Sequence, residues 1–253
     1  MTLPFTDLPL HLFALAAATI FVAYTVFGAT GFGSSIISVP MLAHALPLTF
    51  VVPMACILDL GASMLTGLRG MRDVERGEIL RLLPFMIVGI LLGVTLLVNL
   101  PAGAMLLALG AFVAAYGAYS LLRGRQWSAL GAAWSIPVGV VGGVFSALFG
   151  TGGPVYVIFL SGRIAHKTAL RATVASVVAI SAVLRLGTFA ATGLLLQPGL
   201  LVLCALLIPV LLLGLWLGNH VHHRLARERI VQLISLLLFG NGLTLLARGV
   251  TGI

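Results

Sequence analysis

F-G-A-T-G-F-G-S-S, Phe27 to Ser35, interrupts a long apolar run, L-F-A-L-A-A-A-T-I-F-V-A-Y-T-V at 12–26, and is followed by a shorter one, I-I-S-V-P-M-L at 36–42. A second stretch of the same kind, F-G-T-G-G-P at Phe149 to Pro154, divides I-P-V-G-V-V-G-G-V-F-S-A-L from V-Y-V-I-F-L. Each glycine lowers helix stability by up to about 1 kcal/mol relative to alanine, and Pro154 lacks the amide a helix interior needs. Both stretches therefore predict points where a membrane helix unwinds. Unwound backbone is tolerated inside hydrocarbon only where protein buries it or a water-filled cavity adjoins it. Paired breaks at matching places in two halves point to a transporter's binding site.

The surrounding composition requires a bilayer. Of 253 residues, 60% are hydrophobic and 8% charged, and the mean hydropathy is +1.19. A soluble domain carries about 25% charged residues. The net charge of +8 is topological rather than a nucleic-acid signal. Its basic residues fall in short clusters between apolar runs, with no basic face interleaved with aromatics. Cys56 and Cys204 lie far apart in apolar runs with no CxxC or metal-ligand spacing, and read as packing residues. The opening M-T-L-P-F-T-D-L-P-L-H has no basic region or cleavage site and reads as the start of a retained helix.

Ten apolar segments follow in order, at about 10–27, 34–46, 50–68, 82–98, 102–122, 129–149, 154–162, 172–193, 199–218 and 230–247. Pro40 and Pro47 are expected to limit the second. The halves repeat one another. Pro84-x4-Gly89-x3-Gly93 recurs as Pro209-x4-Gly214-x3-Gly218, and L-D-L-G-A-S-M-L-T-G at 58–67 aligns with L-R-L-G-T-F-A-A-T-G at 184–193. The expected fold is an all-α polytopic membrane protein of two inverted five-segment repeats, 1–125 and 126–253, forming one membrane domain. Each repeat carries a glycine-broken helix and a short re-entrant arm.

The inversion follows from charge. Apart from Arg185 and Arg248, every lysine and arginine falls at 69–81, 123–125, 163–171 or 224–229. The positive-inside rule assigns those four loops to the cytoplasm. An odd number of segments per half satisfies all four at once and leaves the N-terminus outside.

A helix that resumes after a break presents amides without intrahelical partners and the positive end of its dipole. An anion bound there needs no dedicated cation. The expected substrate site comprises Gly28, Thr30, Gly31, Gly33, Ser34 and Ser35 from the first break and Gly150, Thr151, Gly152, Gly153 and Pro154 from the second. A small oxyanion such as sulfite or a sulfonate suits such a site. The competing account is helix packing by small residues, which covers most of the other glycines but explains the paired breaks less well.

Asp59 and Arg185 are the acidic and basic residues well inside predicted spans, at equivalent repeat positions. Intramembrane charges cost at least about 2.5 kcal/mol at mid-helix and face a cavity or each other. Three roles stand open: Arg185 binds the anion while Asp59 titrates for coupling, the two pair structurally, or either lies nearer a membrane face. His220, His222 and His223 have no carboxylate or cysteine at ligand spacing, so no metal or cofactor is expected. No G-x4-G-K-[ST] phosphate loop occurs.

On F-G-A-T-G-F-G-S-S-I-I-S-V-P at 27–40, F-G-T-G-G-P at 149–154, the pseudo-repeat and the length, the chain resembles the TauE/SafE family of sulfite exporters and organosulfur-anion permeases. The resemblance implies a polytopic inner-membrane protein that moves small sulfur-containing anions, with both motifs in the transport path. The expected function is secondary transport by alternating access, with coupling to protons or another ion open and no enzymatic activity. A passive anion channel is the alternative, and a structural subunit or a membrane-embedded enzyme the readings of a different class.

Overall fold

The computed structural model describes residues 9–30, 33–67, 73–122, 131–221 and 227–251, and the described residues are overwhelmingly helical. Ten α-helices occur among them: α1 (Leu10–Thr30), α2 (Ser34–Leu42), α3 (Leu48–Gly67), α4 (Arg76–Asn99), α5 (Ala102–Leu122), α6 (Ser135–Phe149), α7 (Gly152–Ser161), α8 (Lys167–Ala191), α9 (Leu200–Val221) and α10 (Arg227–Thr251). Six described helices are long and apolar enough to cross a membrane. Residues such as Leu91, Leu92, Leu213 and Trp216 are more than half exposed on helices whose other faces are buried. Helices apolar on both faces belong in lipid.

Several helix boundaries differ from expectation. Helices α4 and α8 begin at Arg76 and Lys167 rather than near 82 and 172, because charged first turns extend the helix past its apolar window. α6 begins at Ser135 after a 3-10 turn over Ala132–Trp134, with Pro137 in its first turn, where no amide is missed. Pro40 lies within α2, which continues to Leu42. Gly31 lies outside the described residues, as do 68–72 and 123–130 and most of the histidine-bearing loop.

The helices pack across the halves. α1 lies on α9 and α6 on α4; α5 lies on α10, and α3 crosses α8. Exchanging α1–α5 with α6–α10 maps each of these pairs onto another of the set. It also maps α1–α2 onto α6–α7, α2–α3 onto α7–α8 and α4–α8 onto α9–α3. The halves therefore interlock.

The repeated glycines make the seams. A Cβ on Gly89 would lie 2.2 Å from the Val140 carbonyl oxygen of α6, and one on Gly214 would lie 2.8 Å from the Phe21 oxygen of α1. In membranes, small residues of this kind let backbones approach where van der Waals contact drives association. The seams hold α1 and α6 against opposite halves, so their broken ends converge on the central pair α3 and α8.

Candidate functional site

Both breaks form where glycine takes a left-handed conformation. α6 ends at Gly150, φ 69°. The Gly150 amide bonds the Ser146 oxygen at 2.9 Å and the Thr151 amide the Phe145 oxygen at 3.3 Å, the pattern that closes a helix at glycine. Only Thr151 separates this turn from α7. In the first half, α1 ends at Thr30 and Gly33, φ 98°, precedes α2 directly.

The two breaks touch. A Cβ on Gly150 would lie 2.8 Å from both Cβ and Oγ of Ser35 and 3.4 Å from Nη1 of Arg185. Around this junction lies one cavity, lined by Phe27, Gly33, Ser34, Ser35, Ile36 and Asp59 from the first half and by Gly150, Thr151, Gly153, Pro154 and Val178 from the second. Its space for water-sized groups is about 20 Å³, room for about one water.

Eight of the residues singled out in the sequence meet here: Gly33, Ser34, Ser35, Asp59, Gly150, Thr151, Gly153 and Pro154. Two glycines do not. A Cβ on Gly28 would lie 2.8 Å from the Leu215 oxygen, so Gly28 belongs to the α1–α9 seam. A Cβ on Gly152 would lie 2.7 Å from the Gly142 oxygen and against Tyr156, so this glycine faces α6. The two placements have one cause. Successive helical residues point about 100° apart, so one glycine-rich turn faces both cavity and neighbouring helix. The Thr30 side chain, like Gly31, lies outside what is described.

Asp59, on α3, is buried. It accepts hydrogen bonds from Tyr24 Oη (2.7 Å) and Ser34 Oγ (2.5 Å) at Oδ1, and from Ser35 Oγ at Oδ2. Ser34 and Ser35 form the first turn of α2, so the carboxyl group lies at that helix's positive end. The protein's own acid thus occupies the position at α2 that the sequence assigned to a substrate anion. Tyr24 went unrecognised; its signal is a phenol inside an apolar run, which needs a partner when buried.

The second half is arranged oppositely. Arg185, on α8, is 1% exposed. Its Nη1 donates to the Ser146 carbonyl at 2.9 Å, and Nε has no partner. Among the described residues it makes no ion pair with Asp59 or any other carboxylate. Thr151 lines the cavity ahead of α7, 2% exposed, and its Oγ1 also lacks a partner. Where the first half sets an acid against a helix N-terminus, the second sets a cation near one. Positive potential and free donors accumulate on the α7 side.

The family model for sulfite exporter TauE/SafE matches residues 16–245. The chain belongs to that family. A relative from Comamonas testosteroni, "Probable inner membrane transporter protein TsaS", is 28% identical over 190 residues, covering 75% of this chain and 80% of the relative. No solved structure matches. As a TauE/SafE member with six long apolar helices, the chain is a multi-pass membrane transporter. In such a protein a buried cavity bordered by two helix breaks is where a substrate site is sought.

Proposed function

We propose that this TauE/SafE protein is a secondary transporter of the inner membrane for a small sulfur-containing anion, sulfite or an organosulfonate. The anion binds between the two breaks, against the first turn of α7, and is exposed alternately to either side. One observation carries this: the buried Thr151 hydroxyl, without a protein partner, opens with the start of α7 into the cavity shared by both breaks, beside a guanidinium that makes no ion pair among the described residues. Such a constellation is completed by an anion. A sulfur oxyanion offers several acceptor oxygens to the amides, the hydroxyl and the guanidinium together. The family's name supports the substrate class.

Supporting geometry comes from helix lengths. α2 and α7 have 9 and 10 residues, about 14 and 15 Å, half the ~30 Å of hydrocarbon. Asp59 lies roughly 17 Å along α3 from its first residue. Two half-length arms beginning at one cavity fit a mid-membrane site between inverted repeats, with the N-terminus outside. The described cavity is narrower than a sulfur oxyanion, so entry requires the breaks to separate, as a carrier's do when it opens.

The test is flux in proteoliposomes with sulfite, sulfate, thiosulfate, sulfoacetate and an organic acid. Saturable counterflow of a sulfur anion is expected. Conductance without saturation identifies a channel, and absence of any flux refutes transport of this class.

A further inference from the structure

We propose that Asp59 is the coupling group of this transporter, and that the anion enters its cavity together with one proton that neutralises this carboxylate. The inference rests on the anion site proposed above and adds the coupled ion.

Three hydroxyls donate to one carboxyl group: Tyr24 from α1 and Ser34 from α2 to Oδ1, and Ser35 from α2 to Oδ2. Each hydroxyl has one proton to donate, and an ionised carboxylate can accept all three. The same carboxylate lines the cavity together with Thr151 and Gly153. A substrate anion admitted when the breaks separate would face Asp59 among largely apolar groups. Two like charges so close disfavour joint ionisation. Donors from α1 and α2 hold the Asp59 carboxyl group in place, and protonation removes its charge without moving it.

The hydrogen bonds allow this without leaving a group unpaired. A proton from the water-facing side adds to Oδ2, and the Ser35 O–H, released from the carboxylate, turns into the cavity. Ser35 lies against Gly150, where the breaks meet. One serine hydroxyl is thereby transferred from the internal acid to the substrate.

Among the described residues, Tyr24 on α1 and Cys56 on α3 interact electrostatically with Asp59, and Arg185 on α8 and, through it, Tyr156 on α7 lie beyond Cys56. Tyrosine, cysteine and arginine ordinarily titrate near 10, near 8.5 and above 12. Those ordinary values all lie outside pH 5 to 7.5. No histidine lines the cavity.

The test is binding of methanesulfonate, a monoanion throughout, and of thiosulfate to the purified full chain from pH 5 to 7.5, by calorimetry in two buffers of different ionisation enthalpy. On the alkaline limb Kd should rise up to tenfold per pH unit, with close to one proton taken up per anion. In Asp59→Asn that slope should vanish. If this variant does not fold, Tyr24→Phe removes a donor to the ionised form and should move the limb about one unit to higher pH. Wild-type binding that is flat in pH, or an unchanged slope in Asp59→Asn or unchanged limb in Tyr24→Phe, overturns proton coupling and leaves the anion site standing. Dependence on sodium against choline at fixed pH assigns the coupling to sodium and likewise overturns it. Failure of both anions to bind at pH 5 removes the anion site itself.

Discussion

Alanine at Gly153 and alanine at Gly89 should have opposite consequences, although each adds one methyl group to a glycine-rich membrane helix. A Cβ on Gly153 would meet only Val178 Cγ2, at 3.8 Å, ordinary contact distance. Gly153 is the second residue of α7 and lines the cavity. Its replacement should leave the fold intact and add up to about 1 kcal/mol of helix propensity. The new methyl would also take up much of the ~20 Å³ available beside the first amides of α7. A Cβ on Gly89 would instead lie 2.2 Å from the Val140 oxygen and 3.0 Å from Gly143 Cα. The α4–α6 seam must open by about an ångström, an overpacking that costs about 1–3 kcal/mol.

The assay is thermal unfolding in detergent with and without thiosulfate. An anion at a hundredfold its Kd stabilises the native state by about 2.7 kcal/mol. Gly153→Ala should unfold at or above the wild-type temperature without ligand and lose most of the ligand increment. Gly89→Ala should unfold earlier and keep it. A full increment in Gly153→Ala would refute the position of the site.

The charged residues give a second prediction. Because Arg185 has no carboxylate partner among the described residues, Arg185→Met should keep the unliganded stability and abolish the ligand increment; a loss of 3–5 kcal/mol restored by adding Asp59→Asn would instead reveal a structural pair. A third concerns topology. Cysteines placed at Gly77, which has open space beside it, and at His223 should both resist an impermeant thiol reagent added outside intact cells, and labelling of one alone would refute inverted repeats. A fourth concerns the link between halves at the start of α4. Arg163 bonds Glu78 through Nε at 2.6 Å and Nη2 at 2.8 Å, with Arg81 on the same carboxylate at 2.7 Å. A double-mutant cycle between Glu78 and Arg163 should give about 1 kcal/mol of coupling, at the top of the range for exposed pairs. A coupling of zero would mean the contact is incidental.

The helices were legible because apolar runs alternate with charged loops, and the breaks because glycine is costly in a helix. Asp59 and Arg185 were legible because charge inside an apolar run is conspicuous. The direction each glycine faces was not. Gly152 and Gly153 are adjacent and chemically identical, yet one packs on α6 and the other lines the cavity, a difference set by how α6 and α7 are rotated against each other. Nor could the sequence place Asp59 against the first turn of α2, since this contact joins residues 24 and 25 positions apart through the crossing of α3. The acid's occupancy of one helix N-terminus is why the proposed anion site, between the two breaks, is set against the first turn of α7.

The most direct test is a crystal structure of the protein with selenate, a tetrahedral oxyanion located by anomalous scattering. The anomalous peak should lie in the cavity, within hydrogen-bond distance of Thr151 Oγ1 and the first amides of α7. A selenate peak found only at the basic loops, with none between the breaks, would contradict the account.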